Sequence, residues 1–271
     1  MAKISRGGKR TSATASGTGV NAATQLGASV NQQNQQVQID DTQQAQPMGA
    51  SYNSFMAMTD DQKASVIDSM ASKPAPDFLS DTALQRFAYN LGMNDKPTLV
   101  DDSVLDTMNG TELFRTVNAG KDPKARVRYD ADEIAIQVQK GRDTRYSDNG
   151  GSVYGRGLYF ANTYRASKVY GKTTGNIKST AMIRCKLNSN AKTIDYYQAT
   201  GGLSREIASG SKLGKSLSKI ARRDNESAVS IYALSKGYNV ITSGHGYFNV
   251  LSRNAVTMSK TIKATNSNNR W

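Results

Sequence analysis

The first 50 residues set the strongest limit on the fold. They are rich in Ser, Thr, Gly, Gln and Asn, with almost no large apolar side chains, so the core must come from residues 51–271. A segment of that composition cannot offset its ordering entropy by burial and reads as a disordered or extended low-complexity arm. Its run Asn31-Gln32-Gln33-Asn34-Gln35-Gln36 offers amides that would order only against a partner. The remaining chain is long enough to bury a core of its own.

Several classes drop out early. No stretch of 18 apolar residues occurs, so no membrane span is expected. The basic start, Met1 to Arg6, lacks the apolar run of a secretory signal. It stays free of acids until Asp40, yet lacks the large apolar residues of an amphipathic transit helix. One cysteine, Cys185, and one histidine, His245, are too few for a disulfide framework or a Cys/His zinc site, and no metal is expected. Cys185 lies in the alternating stretch Met182, Ile183, Cys185, Leu187 and reads as a core thiol rather than a nucleophile.

Charge is unevenly placed. Residues 51–110 carry 9 acidic against 4 basic groups, whereas residues 111–271 carry 27 basic against 11 acidic, within a net charge of +13. The basic half favours a polyanionic partner such as nucleic acid, a phosphorylated cofactor or an acidic protein. The acidic segment would pack against it electrostatically. A basic solubilising surface is the plainer reading.

Residues 51–110 read as a helical lead-in. Asp60-Asp61 open a segment with Val66, Ile67 and Met70 at helical spacing. Asp81 would cap a second helix through Leu84, Phe87, Ala88 and Leu91, with Gly92 as its stop. Ser103 would cap a third that closes at Gly110. From 111 to 271 strands are expected near 112–118, 132–138, 157–161, 179–187, 192–196, 238–242, 247–251 and 255–259. Helices are expected near 163–170, 203–208, 214–222 and 225–236. Strands mixed irregularly with helices argue an α+β fold.

Two nucleotide-binding patterns fail on spacing. Gly210-Ser211-Lys212-Leu213-Gly214-Lys215-Ser216 is one residue short of a phosphate loop, and Gly155-Arg156-Gly157 lacks the third glycine of a dinucleotide fingerprint. The latter belongs to a longer run, however. GRGLYFANTYRASKVYG, Gly155 to Gly171, resembles the signature of poly-ADP-ribose polymerases and related ADP-ribosyltransferases: Tyr159, then Ser167, then Tyr170. Thr111-Glu112-Leu113-Phe114-Arg115-Thr116-Val117 is similar to the family's first core strand, in its arginine-bearing branch.

The resemblance implies an ADP-ribosyltransferase-like split β-sandwich over residues 111–271 that takes NAD as substrate. Tyr159 and Tyr170 would sandwich nicotinamide, since offset stacking favours flat aromatic pairs. Ser167 and the Thr116 backbone would hold its carboxamide, Arg115 the phosphate or ribose, and Gly155 and Gly157 would let backbone approach the cofactor. The resemblance extends to Gly244–Val256, where active members carry a glutamate. Here Tyr247 takes its place, with His245 two residues earlier. A carboxylate would stabilise the oxocarbenium-like ribose left by nicotinamide. Without it, three readings stay open: Glu226 or another acid enters from elsewhere, Tyr247 and His245 support slow mono-transfer, or catalysis is lost. Glu226 itself reads first as a carboxylate in a helix's first turn, favourable there for capping alone.

The implied activity is mono-ADP-ribosyl transfer to a protein or nucleic-acid acceptor. The alternative is a degenerate fold serving as a structural virion or nucleic-acid-associated protein. The combination resembles proteins of tailed phages, which implies a bacterial host cytoplasm or a virion, with residues 1–50 docking on other virion proteins.

Overall fold

The computed structural model describes residues 52–72, 82–93, 97–118, 120–121, 128–140, 154–171 and 180–264. The low-complexity arm and the Gln-rich run lie outside the described residues. Three helices come first: α1 (Tyr52–Ala57), α2 (Asp60–Ala71) and α3 (Thr82–Met93). Thr59 and Gln62 cap α2 reciprocally, each side chain bonding the other's backbone N–H. Then follow β1 (Thr98–Val100), α4 (Asp102–Thr107), β2 (Glu112–Asn118) and the short pair β3 (Gly120–Lys121) and β4 (Arg128–Tyr129). The rest runs α5 (Ala131–Gln139), β5 (Leu158–Ala161), α6 (Tyr164–Gly171), β6 (Thr180–Leu187), β7 (Thr193–Asp195), α7 (Tyr196–Ala208), α8 (Lys212–Arg223), α9 (Asn225–Ser235), β8 (Val240–Thr242), β9 (Tyr247–Val250) and β10 (Val256–Ala264).

Among the described residues eight of these strands form one sheet in the order β1-β10-β6-β2-β5-β9-β8-β7, and β3 pairs with β4 apart from it. The sheet is mixed: β1 runs parallel to β10 and β7 to β8, and the other neighbours are antiparallel. This is the α/β mixture expected, with two clusters of buried side chains. One lies between the sheet and α5, through Leu113, Val117, Ile134, Val138, Leu158, Phe160, Ile183 and Val250. The other gathers α1 to α3 and α7 to α9 around Phe55, Ile67, Leu84, Leu217, Ile231, Ile241 and Leu251. The helices of residues 52–93 thus share a core with the C-terminal part, and Pro47–Trp271 is one compact unit.

Four local expectations are corrected. Residues 132–138 form α5, not a strand. Ile134, Ile136 and Val138 alternate, but the buried set is Ala131, Ile134, Ala135, Val138 and Gln139, a helical stripe, and Ile136 is exposed. Glu133 also receives the Asp130 N–H at 2.9 Å, a helix-start contact. Gly92 lies inside α3 rather than stopping it: a Cβ there would stand 1.8 Å from the Leu251 carbonyl oxygen, so glycine is required by close approach. Asp101, not Ser103, precedes α4. The helix expected at 203–208 begins at Tyr196, where Asp195 accepts the Tyr197 N–H at 2.8 Å.

Candidate functional site

The middle of the sheet is nearly split. The halves β1-β10-β6-β2 and β5-β9-β8-β7 are joined by one residue pair, Phe114↔Ala161, between β2 and β5. β2 pairs along its length with β6, and β5 with β9. Continuing the register would set Thr116 opposite Tyr159, but there the strands part. Where the ladder stops, the Arg115 Nη1 donates to the Tyr159 carbonyl at 2.9 Å. Arg115 Nε is buried without a partner among the described residues.

Alternation along β2 sends Leu113, Arg115 and Val117 toward α5, and Phe114 and Thr116 toward α6. The Phe114 ring meets the edge of Tyr164 at 6.4 Å between centroids. The hydroxyls of Thr116 and Ser167 lie 2.9 Å apart, and Ser167 donates to the Tyr164 carbonyl at 2.9 Å. With its one hydrogen so placed, Ser167 accepts from Thr116. Lys168 lies 4.4 Å from the centre of the Tyr164 ring. The Tyr164 hydroxyl is buried and has no partner among the described residues. Tyr170 falls in the last turn of α6. Its side chain lies outside the described residues, and with it the expected ring sandwich.

Tyr159 faces the same side as Thr116. Its hydroxyl donates to the Gly155 carbonyl at 2.6 Å and accepts the Tyr154 N–H at 3.0 Å. That turn is held from α9. Glu226 accepts the Gly155 N–H at 2.8 Å, Ser230 accepts the Arg156 N–H at 2.6 Å, and Asp224 pairs with the Arg156 guanidinium at 2.8 Å. Asn249, opposite Tyr159 on β9 and fully buried, donates to the Tyr154 carbonyl at 2.8 Å. Its Oδ1 has no partner among the described residues.

The two glycines of the motif serve this turn. Gly155 has φ +93°, and a Cβ on Gly157 would stand 2.1 Å from Asn249 Oδ1 and 2.7 Å from the Val250 carbonyl oxygen. Gly157 therefore packs on β9, where the sequence assigned it to cofactor approach. Tyr247 opens β9 opposite Ala161, half-buried, and alternation puts it on the Tyr159 face. His245 is exposed in the preceding turn, its backbone N–H bonded to Ser243 Oγ at 3.3 Å. The structure thus brings Thr116, Ser167, Tyr159 and Tyr247 to one face of the sheet, and Arg115 to the other, where it reaches across the split to the Tyr159 carbonyl.

Glu226 does not cap its own helix as expected. Asp224 does that, accepting the N–H groups of Glu226 and Ser227. Glu226 instead takes the Gly155 N–H on one oxygen and the Tyr196 hydroxyl, at 3.1 Å, on the other. Burial pushes its carboxyl above the usual range, against the lowering effect of those two donors. Tyr196 is pushed up to about 12, first by burial and then by Glu226. Cys185 is fully buried, and that burial raises its thiol well above the ordinary value. The rejected phosphate-loop pattern forms the start of α8, where Ser211 accepts the Gly214 N–H at 2.9 Å.

A separate pocket of about 610 Å³ is lined by Asn53, Asn188, Lys192 and Asn239, among others, and includes none of the expected site residues. Among the described residues no helix is long and apolar enough to cross a membrane. No group of three or more His, Cys, Asp or Glu side chains there could hold a metal ion. Comparisons with protein-family models, curated proteins and solved structures find no match to this chain.

Sequence reasoning missed Asn249, Asp224, Ser230, Tyr196 and Tyr164. Two had legible signals: Asn249 is a lone amide in the apolar run Phe248 to Leu251, and Asp224 heads a helix. Their partners are 68 and 95 residues away in the chain, which no local pattern conveys.

Proposed function

We propose that this chain is an NAD-dependent mono-ADP-ribosyltransferase-like protein, with the β2–β5 split as its NAD cleft and a protein or nucleic-acid side chain as acceptor. The observation that carries this reading is that the sheet comes apart beside Thr116, Tyr159 and Ser167, with Arg115 reaching across the gap from the other face to the Tyr159 carbonyl. Three buried polar atoms of the neighbouring elements have no partner among the described residues: Arg115 Nε on β2, the Tyr164 hydroxyl on α6 and Asn249 Oδ1 on β9. Buried polar groups are otherwise almost always hydrogen-bonded, so each of these atoms leaves capacity that a polar ligand could take up. In the reaction the bond between nicotinamide nitrogen and the ribose anomeric carbon breaks, and the acceptor's nucleophile takes that carbon and releases a proton. The Arg115 guanidinium would grip a phosphate or ribose oxygen, and Thr116 and Ser167 the carboxamide.

A second reading, a degenerate fold kept for a structural role, is favoured by Tyr247 in the glutamate's place. It is favoured too by the hydroxyls of Tyr159 and Ser167, both already engaged by the protein. Calorimetry with NAD, together with nicotinamide release from labelled NAD in the presence of host lysate, separates the two. Binding that Arg115→Ala abolishes, with transfer of label, supports the enzyme. Binding without release supports the degenerate form. No binding, and Arg115→Ala indistinguishable from wild type, overturns the NAD reading.

A further inference from the structure

We infer that Glu226 is a positioning residue, holding the Gly155–Gly157 turn and through it the Tyr159 ring at the β2–β5 split; its consequence for NAD rests on the function proposed above. The chain of contacts is short and each link is a hydrogen bond. Glu226 Oε2 accepts the Gly155 N–H at 2.8 Å, and the Gly155 carbonyl accepts the Tyr159 hydroxyl at 2.6 Å. The Tyr159 hydroxyl also receives the neighbouring Tyr154 N–H at 3.0 Å. Gly155 thus joins the carboxylate on one side of its backbone to the phenol on the other. Its φ of +93° keeps that turn open only to glycine without strain.

The other groups facing Glu226 determine how the link responds to a proton. Asp224 lies on its own helix, the Arg156 guanidinium reaches in from the turn, and Tyr196 donates from α7. Tyr196 in turn stacks edge-on with Tyr154, 5.3 Å between ring centroids. An ionised carboxylate holds the Gly155 N–H more strongly than a carboxylic acid does. Burial lets Glu226 take up its proton at higher pH than an ordinary glutamate, so the turn loosens while other carboxylates are still charged. The Tyr196 hydrogen bond works the other way, and its removal raises the midpoint.

The test follows the Gly155 amide by ¹⁵N NMR and the Tyr159 ring in ¹³C-tyrosine-labelled protein across pH. The variants are Glu226→Gln, whose amide still offers one acceptor and one donor, and Tyr196→Phe. Both wild-type signals move together with one midpoint above the usual carboxylate range. Neither titrates in Glu226→Gln, and the midpoint climbs in Tyr196→Phe. NAD affinity, measured by calorimetry, falls about fivefold in wild type on the acid side of that midpoint and is flat in Glu226→Gln. A Gly155 amide that does not titrate, or a Tyr159 ring unchanged by Glu226→Gln, overturns the inference. Absence of NAD binding in every variant overturns the function reading alone, since the amide and ring signals still decide the role of Glu226.

Discussion

At the scale of single residues, what holds the split together is close contact rather than bulk burial. Gly157 is the tightest case. A methyl group there meets an Asn249 oxygen and a Val250 carbonyl, both on a paired strand that cannot retreat without breaking its ladder. Gly157→Ala should therefore lower the unfolding free energy by about 1–3 kcal/mol, as overpacking does elsewhere. A urea midpoint equal to wild type would mean that β9 yields. Thr116→Val probes the other wall. It removes the donor to Ser167 while Ser167 keeps its acceptor, the Tyr164 carbonyl, so the loss should be about 0.5–1.5 kcal/mol by the same measurement. The resemblance to a known family was what grouped Arg115, Thr116, Tyr159 and Ser167, and the structure pairs Arg115 with the Tyr159 carbonyl and Thr116 with Ser167. The resemblance could not reveal that the Tyr159 and Ser167 hydroxyls are held by the protein itself, because those partners depend on the path of the turn before β5.

At the scale of elements, helix starts show how similar sequence signals carry different loads. Asp195 and Asp224 both precede helices and both accept backbone N–H groups. For Asp195 the cap is the contact the structure gives it. Asp224 also accepts the Ser227 hydroxyl at 2.9 Å and pairs with Arg156, the two side chains only 9% and 17% exposed. Breaking a pair that is mostly shielded from water leaves a guanidinium poorly solvated. Asp195→Ala should cost about 1 kcal/mol, and Asp224→Ala about 2–4 kcal/mol. Amide exchange at Arg156 should accelerate in Asp224→Ala and not in Asp195→Ala; equal costs and unchanged exchange would show that the turn does not depend on α9. The misread element, α5, fails for a related reason. A short run of alternating β-branched residues satisfies both periods, and only the capping contact and the depth of Ala135 decide between them.

At the scale of the whole molecule, the uneven charge read from the sequence becomes an internal seam. Each carboxylate described in the acidic segment meets a basic partner from the C-terminal half: Asp60 with Lys236, Asp61 with Lys212, Asp68 with Lys219, Asp101 with Lys260, and Asp102 and Asp106 with Arg184. These pairs are not equivalent. Lys212 and Asp61 are 71% and 64% exposed, so solvent screens most of their attraction. Arg184 is 16% exposed and reaches Asp106 and Glu112 at 2.6 Å each, with Asp102 at 3.6 Å, joining α4 to β2 and β6. Arg184→Met should destabilise the fold by about 2–3 kcal/mol, discounted from a fully buried pair because its partners remain partly solvated. Lys212→Met should change stability by less than about 0.5 kcal/mol. Raising salt from about 0.1 M to about 1 M shortens the Debye length from roughly 10 Å to roughly 3 Å. That should abolish what little Lys212 contributes and leave most of the Arg184 cost intact. If both variants respond to salt alike, the seam is a diffuse field between segments; if only Lys212→Met does, Arg184 is a fixed joint that fastens the helical lead-in to the strand whose far end opens into the split.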